Sequence, residues 1–220
     1  MKMNEIGTIA VVGGTGKLGS AIAARLSRAG YRIVVGSRSS ESAEAEAKRL
    51  GNGAEGMSNA DAAAAGDLIF ITVPFSAQAE TLEQVAPFAA GKIVVDTTVP
   101  LVPPKVMRVQ LPAEGSAAQC AAKVLGEDIR LVSGFHNVAA HKLAQDIDVE
   151  CDVFVFGDDK DAREVVVGLA REMGLRGIHA GALANSAAAE AMTSLLIFIN
   201  KRYGVDGAGI RITGELSAKD

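Results

Sequence analysis

The sequence predicts an α/β protein of the Rossmann type, with a doubly wound, mostly parallel sheet extended by extra strands and a C-terminal helical segment. Two observations carry this prediction. Short apolar runs, such as residues 68–73, have the continuous character of strands buried on both faces of a sheet. These runs alternate with segments of helical periodicity, which indicates parallel strands joined by right-handed crossovers. We expect residues 1–181 to form the Rossmann-like sheet domain and residues 182–220 to form the helical segment.

The elements follow from local patterns taken in order. Strands are predicted over residues 8–12, 32–36, 54–57, 68–73, 92–96, 130–134, 153–156 and 176–180. Helices are predicted from the glycine-rich turn to Gly30, from a cap at Ser58 or Asn59, and over residues 41–50, 76–85, 116–125 and 161–173. Asn185 is expected to cap a long apolar helix that runs to about Tyr203. Residues 97–114 are predicted to be a long loop, and loops of that length are usually functional or disordered.

Composition bounds the class of protein. The chain has 220 residues, of which 49% are hydrophobic, and this is enough for one large core or for a domain with a small appendage. A formal net charge of -4 and the lack of a basic cluster argue against a nucleic-acid partner. No apolar run reaches membrane-spanning length, and no signal segment precedes the first strand. Cys120 and Cys151 fit no metal or redox spacing, so we expect a reduced, cytoplasmic setting.

A glycine-rich turn follows the first predicted strand. The dinucleotide fingerprint Gly-x-Gly-x-x-Gly is matched by Gly14, Thr15, Gly16, Lys17, Leu18 and Gly19. The first glycine allows the tight turn, the second lets the backbone approach a pyrophosphate, and the third lets helix and strand pack closely. The unpaired N–H groups and the dipole at the helix start favour the same anion. The alternatives are a tight turn without a ligand, and the Gly-x-x-Gly-x-x-Gly spacing that starts at Gly13 and is typical of extended short-chain dehydrogenases and related sensors.

The end of the second predicted strand favours NADP over NAD. An NAD site places an acidic residue at this point to accept a hydrogen bond from the ribose 2′-hydroxyl. This chain has Ser37 and Arg38 there. A guanidinium binds a 2′-phosphate through two hydrogen bonds, and a hydroxyl can donate another. An exposed charge at the start of a helix is the alternative interpretation of Arg38.

The other chemistry-bearing residues lie at the carboxyl ends of later strands, where open α/β sheets bind their ligands. Pro74 and Pro100 could present a rigid apolar wall to a nicotinamide ring, although each could simply end a strand. His136 is the titratable candidate for a hydrogen bond or a proton relay, with a loop histidine as the alternative. No carboxylate is placed beside the histidines as a zinc site requires, so no metal is expected.

The usual catalytic acid of a ketone reductase is missing. The sequence has no Gly-x-Ser-x-Gly elbow, and neither Tyr31 nor Tyr203 has a lysine four residues later. Hydride transfer to a flavin-like ring needs mainly two stacked rings held close together in an enclosed cleft. The sequence therefore favours that kind of reaction over reduction of a ketone.

Five motifs in a shared order resemble the NADPH-dependent reductases of coenzyme F-420, an 8-hydroxy-5-deazaflavin. They lie at residues 12–19, 35–38, 115–118, 157–159 and 183–186, so the resemblance runs over almost the whole chain. It implies reversible hydride transfer between the deazaflavin C5 and the nicotinamide C4 of NADP, in a homodimer. It matches Thr15, Ser37 and Arg38 to the 2′-phosphate contacts and Gly16, Lys17 and Leu18 to the pyrophosphate turn. It also matches Val73, Val99 and Ala140 to the nicotinamide side and His136 to a histidine beside the deazaflavin.

The chain departs from that family pattern on both sides of the cleft. Ser42 stands where a basic residue assists the 2′-phosphate in the family, and Ala139 stands where members tend to carry proline. Residues 102–104 are also unlike the family's loop. Two other functions stay open: an NADPH-dependent reductase of a flavin, an imine or a ferric chelate, and a non-catalytic protein that senses NADP.

Overall fold

An eight-stranded sheet forms the centre of the molecule, whose computed structural model describes residues 3–217. The strands are β1 (Thr8–Val12), β2 (Arg32–Ser37), β3 (Glu55–Ser58), β4 (Leu68–Ile71), β5 (Ile93–Asp96), β6 (Arg130–Ser133), β7 (Asp152–Gly157) and β8 (Arg176–His179). Their order is β3-β2-β1-β4-β5-β6-β7-β8, and only the β6–β7 pair is antiparallel. The first six strands thus have the 3-2-1-4-5-6 order of a doubly wound dinucleotide-binding sheet. The predicted fold, including the extra strands, is confirmed.

The helices cover both faces of this sheet. They are α1 (Lys17–Arg28), α2 (Ser40–Leu50), α3 (Asn59–Ala65), α4 (Phe75–Val85), α5 (Ala117–Leu125), α6 (Ala140–Leu143), α7 (Lys160–Glu172) and α8 (Ser186–Tyr203). Ser39, Ser58, Ser116 and Asp159 cap α2, α3, α5 and α7 by accepting a hydrogen bond from a backbone N–H of the first turn. The sequence did not predict α6, because one helical turn is too short to show a periodicity.

Two apolar cores lie on opposite faces of the sheet, because successive side chains of a strand point to opposite sides. On one face Ile9 and Val11 of β1 belong to a cluster that includes residues of α1, α2 and α7. On the other face Ala10 and Val12 belong to a cluster that includes residues of α3, α4 and α5. The central strands are completely buried, which explains why they are apolar without alternation.

The structure corrects the predicted role of Asn185. Asn185 occupies the residue before α8, but its backbone is helical and its side chain makes no capping hydrogen bond. The chain enters α8 through a 3₁₀ turn, Leu183–Asn185, and the Asn185 amide donates to the Ala180 carbonyl instead. The prediction that Asn185 caps this helix is therefore wrong, although the helix itself ends at Tyr203 as expected.

The segment after β8 makes polar contacts with helix α5 and with strand β7. Glu190 of α8 accepts hydrogen bonds from the N–H groups of Ala117 and Ala118, at the start of α5. Beyond α8, the chain returns to β7, where the Ile212 N–H donates to the Asp152 carboxylate. Residues 218–220 of the predicted helical segment lie outside the described residues, and the division at residue 181 stays a prediction. None of the helices within residues 3–217 has the length and apolar character that crossing a membrane requires.

Candidate active site

The glycine-rich turn packs so closely that side chains are excluded from it. A Cβ atom at Gly19 would lie 2.4 Å from the Thr72 hydroxyl oxygen, and one at Gly14 would lie 2.7 Å from the Val11 carbonyl oxygen. Gly13 has φ of +75°, a conformation that favours glycine. The glycines therefore let α1 approach β1 and β4, as the fingerprint predicts.

The start of α1 is suited to an anion. Its N-cap residue is Gly16, which provides no side-chain acceptor for the free N–H groups of the first turn. Gly16 also lines two cavities, which meet at the start of α1. The exposed N–H groups and the helix dipole suit the pyrophosphate of a dinucleotide.

A cavity of about 290 Å³, the Arg38 cavity, lies on the β2 side of the turn. It brings together the predicted residues Gly16, Thr15, Ser37, Arg38, Val73 and Pro74. The hydroxyl oxygens of Thr15 and Ser37 are 3.5 Å apart, and Arg38 is exposed at the rim. Two hydroxyl groups and a guanidinium in one cavity can bind a phosphate monoester.

Asn59 is a residue of this cavity that the sequence interpretation assigned only to a helix start. It is buried, lines the Arg38 cavity, and accepts a hydrogen bond of 3.4 Å from the Gly13 N–H. Asn59 directly follows β3, at the same carboxyl-end edge of the sheet as the other site residues. That position was the signal that could have identified it.

A second cavity of about 510 Å³, the Val99 cavity, continues along the same edge. Gly16, Thr72, Val73, Pro74 and Ser76 line both cavities, which makes one continuous cleft. Its further wall consists of Lys17, Leu18, Phe75, Thr97, Thr98, Val99, Leu101, Val102 and Pro103. This wall is mainly apolar, which suits a planar ring that must be shielded from water. The predicted long loop 97–114 supplies the outer part of the wall and contains no helix or strand.

A buried polar network supports this wall, and the sequence interpretation missed it. Asp96, at the end of β5, is completely buried and accepts hydrogen bonds from Thr98 and from Gln78 of α4. Burial raises the pKa of its carboxyl group to about 7, against the opposing effect of these hydrogen bonds. An aspartate that ends an otherwise apolar strand was the available signal.

His136 and Ala140 are not brought to the cleft. Neither lines either cavity, and Ala140 begins α6, which packs against α1. The His136 ring is buried, with its Nε2 atom 2.8 Å from the Ser133 hydroxyl oxygen. Burial lowers the pKa of His136 to about 3, so the imidazole is neutral at physiological pH. Its role beside an acceptor stays a prediction.

Other places in the described chain offer less to a dinucleotide. A cavity of about 590 Å³ lies near the start of β6, where Arg130 and Asp159 form an ion pair with an N–O distance of 2.6 Å. Because β6 runs parallel to β5, β4 and β1, the start of β6 lies at the opposite edge of the sheet from the glycine-rich turn. Within residues 3–217, no group of three or more histidine, cysteine or acidic side chains is arranged to hold a metal ion.

The order of the strands and the glycine-lined cleft at their carboxyl ends define a dinucleotide-binding protein of the Rossmann class. A family model described as "NADP oxidoreductase coenzyme F420-dependent" matches residues 8–100. The chain is 40% identical over 220 positions to the F420-dependent NADP reductase of Methanocaldococcus jannaschii, covering 93% of this chain and 97% of that one. It is 39% identical over 218 positions to the reductase of the same name from Methanothermobacter thermautotrophicus, covering 93% and 94%. The chain belongs to the family of F420-dependent NADP reductases.

A solved structure gives the same fold. The crystal structure of a putative F420-dependent NADP reductase from Arthrobacter sp. FB24 has a TM-score of 0.80 with this chain at 20% identity. The match covers 95% of this chain and 100% of the other. At that identity the likeness extends to the fold alone.

Proposed function

We propose that this protein transfers a hydride between NADP(H) and the deazaflavin coenzyme F-420. The observation that carries the proposal is a continuous cleft with two hydroxyl groups and a guanidinium at one end and an apolar cavity at the other. Membership of the F420-dependent NADP reductase family supports it. When both are bound, the hydride passes between the nicotinamide and deazaflavin rings, so the protein's contribution is binding, orientation and exclusion of water.

The residues present fit NADP. A dinucleotide needs close backbone approach at the turn, and a Cβ at Gly14 or Gly19 would remove that space. We assign the first turn of α1, including Gly16, Lys17 and Leu18, to the pyrophosphate. Thr15, Ser37 and Arg38 are assigned to the 2′-phosphate. Ser42 cannot supply a second positive charge, and its N–H donates to the Ser39 hydroxyl that caps α2, so Arg38 carries the charge selectivity of this cavity.

The apolar cavity fits the reacting rings. We assign Val73, Pro74 and Val99 to the wall beside the nicotinamide, because all three line the Val99 cavity. His136 and Ala140 remain proposals from the family resemblance. Since the His136 ring is neutral and hydrogen-bonded, we assign it the role of an uncharged partner that orients groups near the acceptor, and not that of an acid.

We also propose that the protein acts as a homodimer in the cytoplasm. Met192, Leu195 and Phe198 of α8 are 38%, 44% and 50% exposed. Their spacing of three residues puts them on the same side of the helix, where they form an apolar patch suited to a second copy. The two free cysteines support a reducing compartment.

The test is an absorbance assay with NADPH and one of three acceptors: oxidised coenzyme F-420, FMN or a ferric chelate. We expect turnover with the deazaflavin at a rate well above the other two. Faster turnover of FMN or of the chelate would replace the proposal with a reductase of that acceptor. Tight NADPH binding without turnover of any acceptor would favour a sensor of NADP.

A further inference from the structure

The carboxyl group of Asp96 is unusual in its surroundings. Its exposed fraction is 0%, and in the described part of the chain no lysine, arginine or histidine pairs with it. A buried carboxylate without a cation carries a large desolvation cost. A neutral residue at the end of β5 would avoid this desolvation cost, so the carboxylate at this position indicates a role that requires a negative charge.

Three donors converge on this carboxyl group. Its Oδ1 atom accepts from the Thr98 N–H at 3.2 Å and from the Thr98 hydroxyl at 2.6 Å. Its Oδ2 atom accepts from the Gln78 amide nitrogen at 2.7 Å, and that nitrogen also donates to the Ala117 carbonyl at 3.0 Å. An asparagine could make the local turn to Thr98, but it would direct its own N–H groups at the amide of Gln78. Accepting at both oxygens therefore requires the carboxylate.

The residue that Asp96 holds belongs to the wall of the Val99 cavity. Thr97, just before it, is anchored to β4 through its N–H and its hydroxyl, both of which donate to the Ile71 carbonyl. Thr98 is anchored to Asp96 in turn, and Val99 and Leu101 follow directly in the same wall. The hydrogen bonds of Thr97 and Thr98 fix the direction in which the chain leaves β5, and this direction sets the position of the Val99 cavity wall.

We propose that Asp96 is a positioning residue for the hydride acceptor: its ionised carboxylate holds Thr98 and so fixes the wall that the acceptor ring packs against. The inference rests on the proposed function, in which the Val99 cavity receives the reacting rings. Asp96 acts through Thr98 and does not touch the acceptor.

The charge state of Asp96 then controls acceptor binding around neutral pH. Protonation adds a proton to a carboxyl group that three donors already face, so the Thr98 hydroxyl must turn round and accept, and the charge-assisted bonds from the Thr98 N–H and the Gln78 amide weaken. The pKa of about 7 results from burial first and also from the negative charge of Glu190 on α8. The other facing groups, Gln78 and Thr98, are neutral, and His136 beside neighbouring β6 is neutral in this range because burial lowers its pKa to about 3. Affinity for the acceptor should fall as the pH drops from 8 to 6.

The test measures equilibrium binding of oxidised coenzyme F-420 by calorimetry at pH 6, 7 and 8, together with NADPH binding and turnover. Asp96→Asn should weaken deazaflavin binding at pH 8 about tenfold, the loss expected for one charge-assisted hydrogen bond network. Its NADPH affinity should change less, by about twofold, because the proposed phosphate contacts at the Arg38 cavity and the glycine-rich turn are untouched and only the nicotinamide end of the dinucleotide borders Val99. The ligand's own ring hydroxyl can titrate in this range, so the diagnostic quantity is the difference in pH dependence between wild type and Asp96→Asn.

Two further variants separate positioning from general stability. Thr98→Val removes the hydroxyl and should weaken deazaflavin binding at pH 8 as Asp96→Asn does. Thr98→Ser keeps the hydroxyl and should bind the deazaflavin with the affinity of the wild type. Asp152→Asn is a control for loss of a buried carboxylate far from the cleft, because Asp152 accepts a backbone N–H and the Arg176 guanidinium but lines neither cavity. It should leave deazaflavin binding unchanged.

The possible outcomes are distinct. Unchanged deazaflavin affinity in both Asp96→Asn and Thr98→Val, or the same pH dependence in Asp96→Asn as in wild type, overturns the role of Asp96. If wild-type protein neither binds nor reduces the deazaflavin, the proposed function itself fails, and that result is visible before any variant is compared.

Discussion

At the scale of single residues, the two ends of the cleft differ in character: the Arg38 cavity has a positive charge, and the Val99 cavity has a mainly apolar wall. Arg38 at the rim of its cavity is the one arginine or lysine among the residues that line it, and the nearby hydroxyls of Thr15 and Ser37 are neutral donors. The Val99 cavity has Lys17 at one edge and is otherwise walled largely by apolar side chains. In the proposed function, selectivity for the 2′-phosphate therefore depends on one side chain, Arg38, while acceptor binding depends on the position of the loop that follows β5.

We predict that Arg38→Ala raises KM for NADPH far more than KM for NADH. Loss of a hydrogen bond to a charged group costs about 1.5–3 kcal/mol, which corresponds to roughly a 10- to 150-fold increase. Steady-state kinetics with both nucleotides measure the effect. Arg49→Ala is the control, because Arg49 pairs with Glu46 on α2 and lines neither cavity. Equal changes for NADPH and NADH would contradict the assignment of the 2′-phosphate to Arg38.

At the scale of elements, the site depends on how closely α1 approaches the ends of β1 and β4. The third glycine of the fingerprint, Gly19, faces the Thr72 hydroxyl, which donates to the Val12 carbonyl at 2.8 Å. A side chain at Gly19 would push the helix away from both strands. The helix start would then no longer point its free N–H groups at the place proposed for the pyrophosphate.

We predict that Gly19→Ala lowers NADPH affinity by at least tenfold and the unfolding free energy by about 1–3 kcal/mol, the usual cost of overpacking. The new Cβ would lie 2.4 Å from the Thr72 hydroxyl oxygen and 2.8 Å from the Gly14 Cα. Relief of the second contact requires movement of the backbone, which costs more free energy than movement of a flexible side chain. Calorimetric binding and urea unfolding measure the two effects. Gly7→Ala is the control, since its Cβ would meet the Asp67 carboxylate at an ordinary 3.4 Å. Normal NADPH binding by Gly19→Ala would show that α1 can shift without loss of the site.

At the scale of the whole molecule, two buried groups give the stability opposite responses to acid. The pKa of His136 is lowered to about 3 in the fold, so between pH 6.5 and 3 the unfolded chain binds more protons and stability falls with acid. The pKa of Asp96 is raised to about 7, so between pH 7 and 4 the folded state binds more protons and stability rises with acid. From pH 7 to 5 each effect amounts to about 2 kcal/mol, and they nearly cancel.

We therefore predict that Asp96→Asn makes acid destabilisation steeper than in wild type by about 2 kcal/mol between pH 7 and 5. Asparagine does not titrate, so the acid destabilisation caused by His136 is no longer offset by the acid stabilisation caused by Asp96. Burial also raises the pKa of Glu190, but Glu190 is present in both proteins. Urea unfolding at pH 5, 6 and 7 measures the difference. Parallel pH profiles for the two proteins would contradict the raised pKa of Asp96.

The apolar patch of α8 leads to the second prediction at this scale. Phe198→Asp should convert the proposed dimer into a monomer, because a charge would replace the most exposed side chain of the patch Met192, Leu195 and Phe198. Sedimentation equilibrium measures the state of association. Phe88→Asp is the control, as Phe88 is 40% exposed in the 3₁₀ helix Ala86–Phe88, away from α8. A monomeric wild-type protein, or a dimer that survives Phe198→Asp, would contradict the proposed interface.

The sequence alone determined the sheet, its flanking helices apart from the short α6, and the glycine-rich turn with Ser37 and Arg38 beside it. The reason is that these depend on local signals: apolar runs bounded by turns, serine and aspartate caps, and a glycine spacing with Ser37 and Arg38 after the next strand. Tertiary structure alone decided which later residues meet the cleft. His136 follows a strand as the prediction requires, but the loop after β6 folds its ring into the interior against Ser133. Asp96 ends its strand inside the protein, and three donors from two other places in the chain make it part of the site. Some of these partners are near in sequence, as Thr98 is to Asp96, but the burial of both groups and the bond from Gln78 depend on packing between distant residues, which no local pattern specifies.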